Sequence, residues 1–336
     1  MQGVTGKRKV TARDVAVEAG VSKWTVNRAF KKDAPIADDS RARVLDAAKR
    51  LGYRPNLLAR SMTTKSTQQV AVLVDDFGNP HKLPVLDVLT AALQREGLVA
   101  VLVNINEQNS HIDAILHADQ RQVDAVVLLG TSFRDETLHE TALYDASPPL
   151  FVLARESTVD LVTAVSCDAA ASMESIGRHL LERGYRRPGF MSGPRTLSTA
   201  LGRMSHFAAF WRRYGILDVP ELTAGAYDRK AASAAMEHYL LSAPADRRID
   251  VLMCENDALA LGAMDTARFS CGLKVPADLA FVGYDGTDLA AVPAYDLTTY
   301  EQPIAAMVDR LVDMIVGRSE PASICIEGRL VVRSTT

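Results

Sequence analysis

The chain has 336 residues, 48% hydrophobic and 24% charged, with a net charge of −3; that is too long for one core, so two or three domains are expected. No stretch approaches the ~18 apolar residues of a membrane span, and no apolar run follows the basic Lys7 to Lys9, so neither a membrane segment nor a secretory leader is expected. Cys167, Cys254, Cys271 and Cys325 lie far apart and form no C-x-x-C pair, which fits a reducing, cytoplasmic compartment and argues against a metal site.

Charge divides the chain unevenly. Residues 1–65 hold 15 Lys/Arg against 6 Asp/Glu, whereas residues 66–336 hold 23 against 35. A basic head on an acidic body is the balance that phosphate contact and counterion release require. A solvated basic cap is the bland alternative.

Residues 10–30 read V-T-A-R-D-V-A-V-E-A-G-V-S-K-W-T-V-N-R-A-F. Thr11 caps a helix whose Val15, Ala16 and Ala19 share a face, and Gly20 ends it. Ser22 caps a second helix with Val26, Ala29 and Phe30 inward. Lys23, Trp24, Thr25, Asn27 and Arg28 stand at its start and outer side, residue types suited to a groove. A third helix from about Asp39 to Leu51 carries Val44, Leu45, Ala48 and Leu51 at helical spacing, and Gly52 closes it. In such a helix-turn-helix the second helix lies in the major groove, where its first residues meet base edges. From Arg54 to Met62, Pro55 and Asn56 can start a short helix with Leu58, Ala59 and Met62 on one face, too short to be stable alone. The alternative there is a linker with an incidental apolar stripe.

After Ser66 strands alternate with helices. Val70 to Val74, Val99 to Ile105, Val123 to Leu129 and Leu150 to Leu153 read as buried parallel strands, with helices at Leu86 to Glu96 and His111 to Gln120. A second series follows with Gly189 to Met191, Val251 to Cys254 and Leu279 to Val282, spaced by helices over 170–183, 201–214, 230–242 and 257–268. The fold class is therefore α/β: a three-helix head, then a core of two subdomains with parallel sheets. Ligands bind at the carboxyl ends of strands in such sheets, so the loops after them should face one another across a cleft.

The ordered motifs resemble the lactose-repressor (LacI/GalR) family of bacterial transcription regulators. Besides the head they are D-D-F-G-N-P at 75–80, V-D-A-V-V-L-L-G at 123–130, S-T-A-L-G-R at 198–203, E-N-D-A-L-A-L-G-A at 255–263, V-P-A-D-L-A-F-V-G-Y-D at 275–285 and L-T-T-Y-E-Q-P at 297–303. The resemblance implies a DNA-binding domain over 1–54, a hinge helix over 55–65 and a periplasmic-binding-protein-like core over 66–336. Within that core the first subdomain is expected over 66–167 and 298–325, the second over 168–297 and 326–336. It further implies a homodimer on a palindromic double-stranded operator, with paired hinge helices in the minor groove. Met62, where relatives usually carry leucine, is the expected wedge between base steps. No leucine heptad follows the last strand, so a plain dimer is expected.

For DNA, the resemblance and the residue types together give Thr11, Ser22, Lys23, Trp24, Thr25, Asn27, Arg28, Asn56, Leu58, Ala59 and Met62. Lys23, Trp24 and Arg28 are expected to read bases, and Thr25 and Asn27 mostly to touch phosphate. Trp24 is unusual at this site; contact with a thymine methyl and packing against Phe30 both remain open.

For the ligand, the resemblance makes Arg203 the arginine that reaches hydroxyls or carboxylates, and places Asn256 and Asp285 on the ligand. Phe77, Asn79, Thr199, Tyr227 and, as an open alternative, Trp211 supply walls, while Asp257 is read either as a ligand residue or as a helix N-cap. Where relatives end the fourth strand with aspartate this chain has Ala154, which frees Arg155 to be redirected, and His81 and Lys82 add polarity to the first loop. The expected effector is a sugar or glycoside. A corepressor-type regulator with a phosphorylated, acidic or nucleobase effector stays open, because Arg155, Arg203 and Lys82 can assemble positive charge.

No G-x-S-x-G, G-x-x-x-x-G-K-[ST], G-x-G-x-x-G or H-E-x-x-H occurs, so no enzyme, catalytic residue or cofactor is expected. A solute receptor would share the body but carry a leader. An architectural DNA protein would bind without sequence preference.

Overall fold

A computed structural model describes residues 10–30, 34–55, 61, 66–106, 108, 110–131, 148–157, 159, 162–194 and 202–336. Asn56, Leu58, Ala59, Met62 and Thr199 lie outside them. The chain forms two compact units, Met1–Thr67 and Gln68–Thr336.

In the first unit, α1 (Ala12–Ala19) starts with a reciprocal cap. The Thr11 hydroxyl accepts from the Asp14 amide at 3.4 Å, and the Asp14 carboxylate accepts from the Thr11 amide at 2.8 Å. Gly20 ends the helix at φ 62°, a left-handed conformation that glycine adopts without penalty. The helix α2 (Lys23–Ala29) is capped by Ser22, whose hydroxyl accepts from the Thr25 amide at 3.1 Å. With α3 (Asp38–Leu51) these helices bury Val15, Ala16, Ala19, Val26, Ala29, Val44, Ala47 and Ala48. Ala47 replaces the expected Leu45, which is left exposed: the inward stripe of α3 runs through 44, 47 and 48. The Arg41 guanidinium donates to the Ala29 and Ala34 carbonyls, both at 2.9 Å, tying α3 to the end of α2.

The second unit holds two six-stranded sheets. The first comprises β1 (Gln69–Val74), β2 (Val99–Asn104), β3 (Ala125–Leu129), β4 (Leu150–Leu153), β5 (Val162–Cys167) and β11 (Ile324–Ile326), in the order β11-β5-β4-β3-β1-β2, every pair parallel. Helices α4 (Lys82–Arg95) and α5 (His111–Gln120) connect its early strands. The second sheet comprises β6 (Pro188–Ser192), β7 (Glu221–Thr223), β8 (Val251–Cys254), β9 (Ala280–Asp285), β10 (Thr298–Glu301) and β12 (Arg329–Val331), in the order β12-β10-β9-β8-β6-β7. Only its β10–β12 pair is antiparallel. Its helices are α6 (Ala169–Glu182), α7 (Arg203–Arg213), α8 (Arg229–Ser242) and α9 (Asp257–Asp265), the last extended by a wider π turn over Thr266–Ser270.

The chain passes between the sheets after β5, after β10 and after β11. The expected return at 298 is thus corrected: Thr298–Glu301 pairs with β9, and the chain leaves only after Gln302, when α10 (Ile304–Ile315) packs against α4. That strand reads T-T-Y-E, without the apolar run that marks its neighbours. Its two threonines are nevertheless fully buried, held through their hydroxyls to Asp257 and to the Arg333 carbonyl.

Candidate functional site

Helix α2 presents one polar face. Lys23 and Asn27 are exposed, Thr25 and Arg28 half-buried, and Trp24 is 64% exposed, so packing of its ring in the core against Phe30 is excluded. Instead the Arg28 guanidinium lies over the indole, 4.2 Å from the ring centre. Phe30 packs with Tyr53, ring centres 5.7 Å apart. The hydroxyls of Thr11 and Ser22 are engaged at helix starts, where they accept from the Asp14 and Thr25 amides.

In the second unit, the carboxyl ends of both sheets converge on a cavity lined by Asn79, His81, Lys82, Leu129, Gly130, Thr131, Leu153, Ala154, Arg203, Tyr227, Asn256, Asp285 and Gln302. Six of the nine expected ligand residues are brought together: Asn79, Lys82, Arg203, Tyr227, Asn256 and Asp285. Phe77 turns towards solvent after Asp76, whose φ is 48°, and Arg155 is buried outside the lining. Trp211 is fully buried against Phe207 and Phe210 in the core. Its expected place in the cavity wall is corrected, because α7 turns the aromatic stripe inwards and leaves Arg203 at its first residue to face the cavity.

Arg203 is 7% exposed; it donates to the Glu255 carbonyl at 2.7 Å and lies 3.6 Å over the Tyr284 ring. Tyr227 donates to the Glu255 carboxylate at 2.9 Å, which also accepts from the Gly193 amide at 2.7 Å. A Cβ on Gly193 would fall 2.2 Å from the Tyr227 ring, so this ring position requires glycine after β6. Lys82 points at Asp75, 3.5 Å away, and at the Leu129 carbonyl, 3.3 Å away. The Thr131 amide donates to the same Asp75 at 3.2 Å, and only glycine at 130 leaves room for that carboxylate.

Across the cavity, Gln302 donates to Asp285 at 2.8 Å and lies 3.3 Å from the His81 ring, whose other nitrogen is 3.9 Å from Asp285. Burial, reinforced by Lys82 and Arg203, pushes the His81 imidazole down to about 3, so it is neutral. Burial raises the Asp285 carboxyl to about 7 against the lowering pull of Arg203, Gln302 and Lys82. Asn256, not Asp257, caps α9, accepting from the Leu259 amide at 2.9 Å. Asp257 sits beneath the site, held by Thr299 and Thr287, and burial together with Asp285 raises it to about 7.

Sequence reasoning placed His81 at the cleft rim without assigning it to the ligand, and passed over Glu255 and Gln302. The motifs E-N-D-A and L-T-T-Y-E-Q-P contained these two, but assigning Gln302 needed recognition of β10 as a strand. Among the described residues no cluster of three His, Cys, Asp or Glu can hold a metal ion, and no helix is long and apolar enough to cross a membrane.

The head and the core define a class: a helix-turn-helix DNA-binding domain joined to a two-subdomain core with a cavity at the carboxyl ends of its sheets. Family models agree on both parts. "Bacterial regulatory proteins, lacI family" matches residues 11–56 and "Periplasmic binding protein-like domain" matches 178–336. HTH-type transcriptional repressor PurR from Escherichia coli and from Shigella boydii is 28% identical over 334 residues, covering 96% of both chains. Among solved structures, the lac repressor dimer bound to operator and the anti-inducer ONPF superposes with a TM-score of 0.82 at 21% identity, covering 98% of this chain and 99% of that one. A transcriptional regulator CelR–cellobiose complex superposes at 0.67 with 27% identity, covering 98% of this chain and 100% of that one. The chain thus joins a LacI-family helix-turn-helix domain to a periplasmic-binding-protein-like domain. It is a repressor-like DNA-binding regulator, and its relatives are repressors rather than enzymes.

Proposed function

We propose that the chain acts in the cytoplasm as a homodimer on a palindromic operator, and that a neutral polyhydroxylated molecule, a sugar or glycoside, occupies the core cavity and alters operator affinity. Lys23 and Arg28 read base edges, with Trp24 beside Arg28 on the same surface; Thr25 and Asn27 position the helix on phosphate, with the first turns capped by Thr11 and Ser22. Asn79, Lys82, Arg203, Tyr227, Asn256 and Asp285 hold the effector. An apolar rim supports pairing of two copies: the edge strand β2 exposes Val99 and Leu102, and the flanking α4 and α5 expose Leu83 and Leu116.

The observation that carries the effector class is the charge pairing in the cavity. Lys82 faces Asp75, Arg203 is committed to the Glu255 carbonyl and the Tyr284 face, and Asp285 adds a further buried carboxyl. An anionic ligand would meet this excess of carboxyls, whereas hydroxyls can donate to Asp285 and accept from Arg203 and Asn256. The relative captured with cellobiose supports the same class. The cavity is only about 50 Å³ here, room for a few waters, so an effector enters by parting His81 from Asp285 and Gln302.

The test is thermal shift of the full chain with cellobiose and other neutral glycosides beside sugar phosphates and nucleobases. Stabilisation by a neutral glycoside, lost in Arg203→Ala, is the expected result. Stabilisation by a phosphate or a nucleobase instead would replace the sugar reading.

A further inference from the structure

We infer that Trp24 is a positioning residue: its indole face holds the Arg28 guanidinium in one orientation, from which Arg28 reads a guanine that Trp24 itself does not touch. The inference rests on the sequence-specific DNA binding proposed above. Trp24 and Arg28 are four residues apart on α2 and so share a face. The guanidinium sits 4.2 Å above the ring centre. The ring is 64% exposed and lies outside the small apolar core of the head, so packing of the three helices does not call for an indole there.

Arg28 is half-buried, and its Nε is buried without a hydrogen-bond partner among the described residues. The indole thus takes the place of the hydrogen bonds that usually fix a guanidinium. Unstacked, such a side chain samples many rotamers and must lose that freedom on binding. Stacking occupies the flat face of the guanidinium and leaves its N–H groups in the plane. Those in-plane donors are the ones that grip guanine O6 and N7 side by side. Lys23 and Asn27, both exposed on the adjoining face, keep their own contacts.

The experiment uses full-length protein and the operator that wild type selects from random duplex. Arg28→Ala first marks the guanine, as the pair at which base preference disappears. In Trp24→Gln, discrimination at that pair should fall about two- to five-fold, the range an exposed cation–π contact supplies. Trp24→Phe, which keeps a ring face, should retain most of it. The double variant Trp24→Gln, Arg28→Ala should discriminate no worse there than Arg28→Ala alone, with melting temperatures unchanged. If Trp24→Gln weakens binding equally for every base at that pair, or its loss multiplies with that of Arg28→Ala, the platform is wrong and Trp24 is an independent contact. A wild type that selects no sequence overturns the operator reading and this inference with it.

Discussion

Asp285 shows how the core site is assembled at the cost of local strain. It ends β9 at φ 115°, a conformation that favours glycine, and it is buried where its carboxyl rises to about 7. Asp257 behind it also rises to about 7. Both groups hold a proton in the folded core that the unfolded chain releases near pH ~4. Folding therefore binds protons in this window, and stability falls as pH rises from about 4 to about 7, then levels off. Denaturant melts at pH 5 and pH 7.5 should show the wild type more stable at the lower pH, with the difference reduced in Asp285→Asn. An equal slope in that variant would show that Asp285 does not titrate as described. Arg203→Ala should abolish the effector's influence on operator affinity while leaving effector-free operator binding intact; loss of both would make the arginine structural. Asn256 and Asp285 at strand ends, and Arg203 at the start of α7, were legible through the family resemblance together with the rule that the carboxyl ends of strands face the cleft. Phe77, Arg155 and Trp211 were not, because the direction of a side chain depends on a backbone turn or a helix phase that residue type does not reveal.

Helices and strands differed in how openly the sequence announces them. The head helices were readable from their caps. Ser22→Ala should destabilise the head by about 1 kcal/mol through loss of the bond to the Thr25 amide, measurable by chemical denaturation. The strands β1, β3, β4 and β8 were readable as apolar runs between turns, whereas β5, β7 and β10, written V-T-A-V-S-C, E-L-T and T-T-Y-E, were not. In β10 hydrogen bonds from buried threonines replace apolar side chains, so polarity there does not mean exposure. The misplaced crossing at 298 follows from that one unread strand. Glycines at strand ends are similarly specific. A Cβ at position 193 would meet the Tyr227 ring at 2.2 Å, so Gly193→Ala should cost about 1–3 kcal/mol of core stability and displace the tyrosine from the cavity wall. Unchanged melting and unchanged effector binding in that variant would contradict the packing described.

At the scale of the whole molecule, charge and ligand chemistry are separated between two units. The near-neutral total conceals a head with 15 Lys/Arg against 6 Asp/Glu and a body with 23 against 35. Operator binding should therefore fall steeply with salt, by about 10³-fold between 50 and 200 mM if the dimer makes ~6 phosphate contacts, while binding of a neutral effector changes little. Equal salt sensitivity of the two would argue for a charged effector. The division into head and core, and the family, were legible in the sequence because the motifs run in order along nearly the whole chain. The effector was not, since its class depends on which buried charges already hold partners. The most direct test of the central claim is selection of genomic DNA fragments by the purified full-length chain at physiological salt. The expected result is an enriched palindrome, with half-sites about 10 bp apart, bound at least ~10³-fold more tightly than its scrambled duplex. Equal binding to palindrome and scrambled duplex would contradict it and leave a DNA-binding protein without sequence preference.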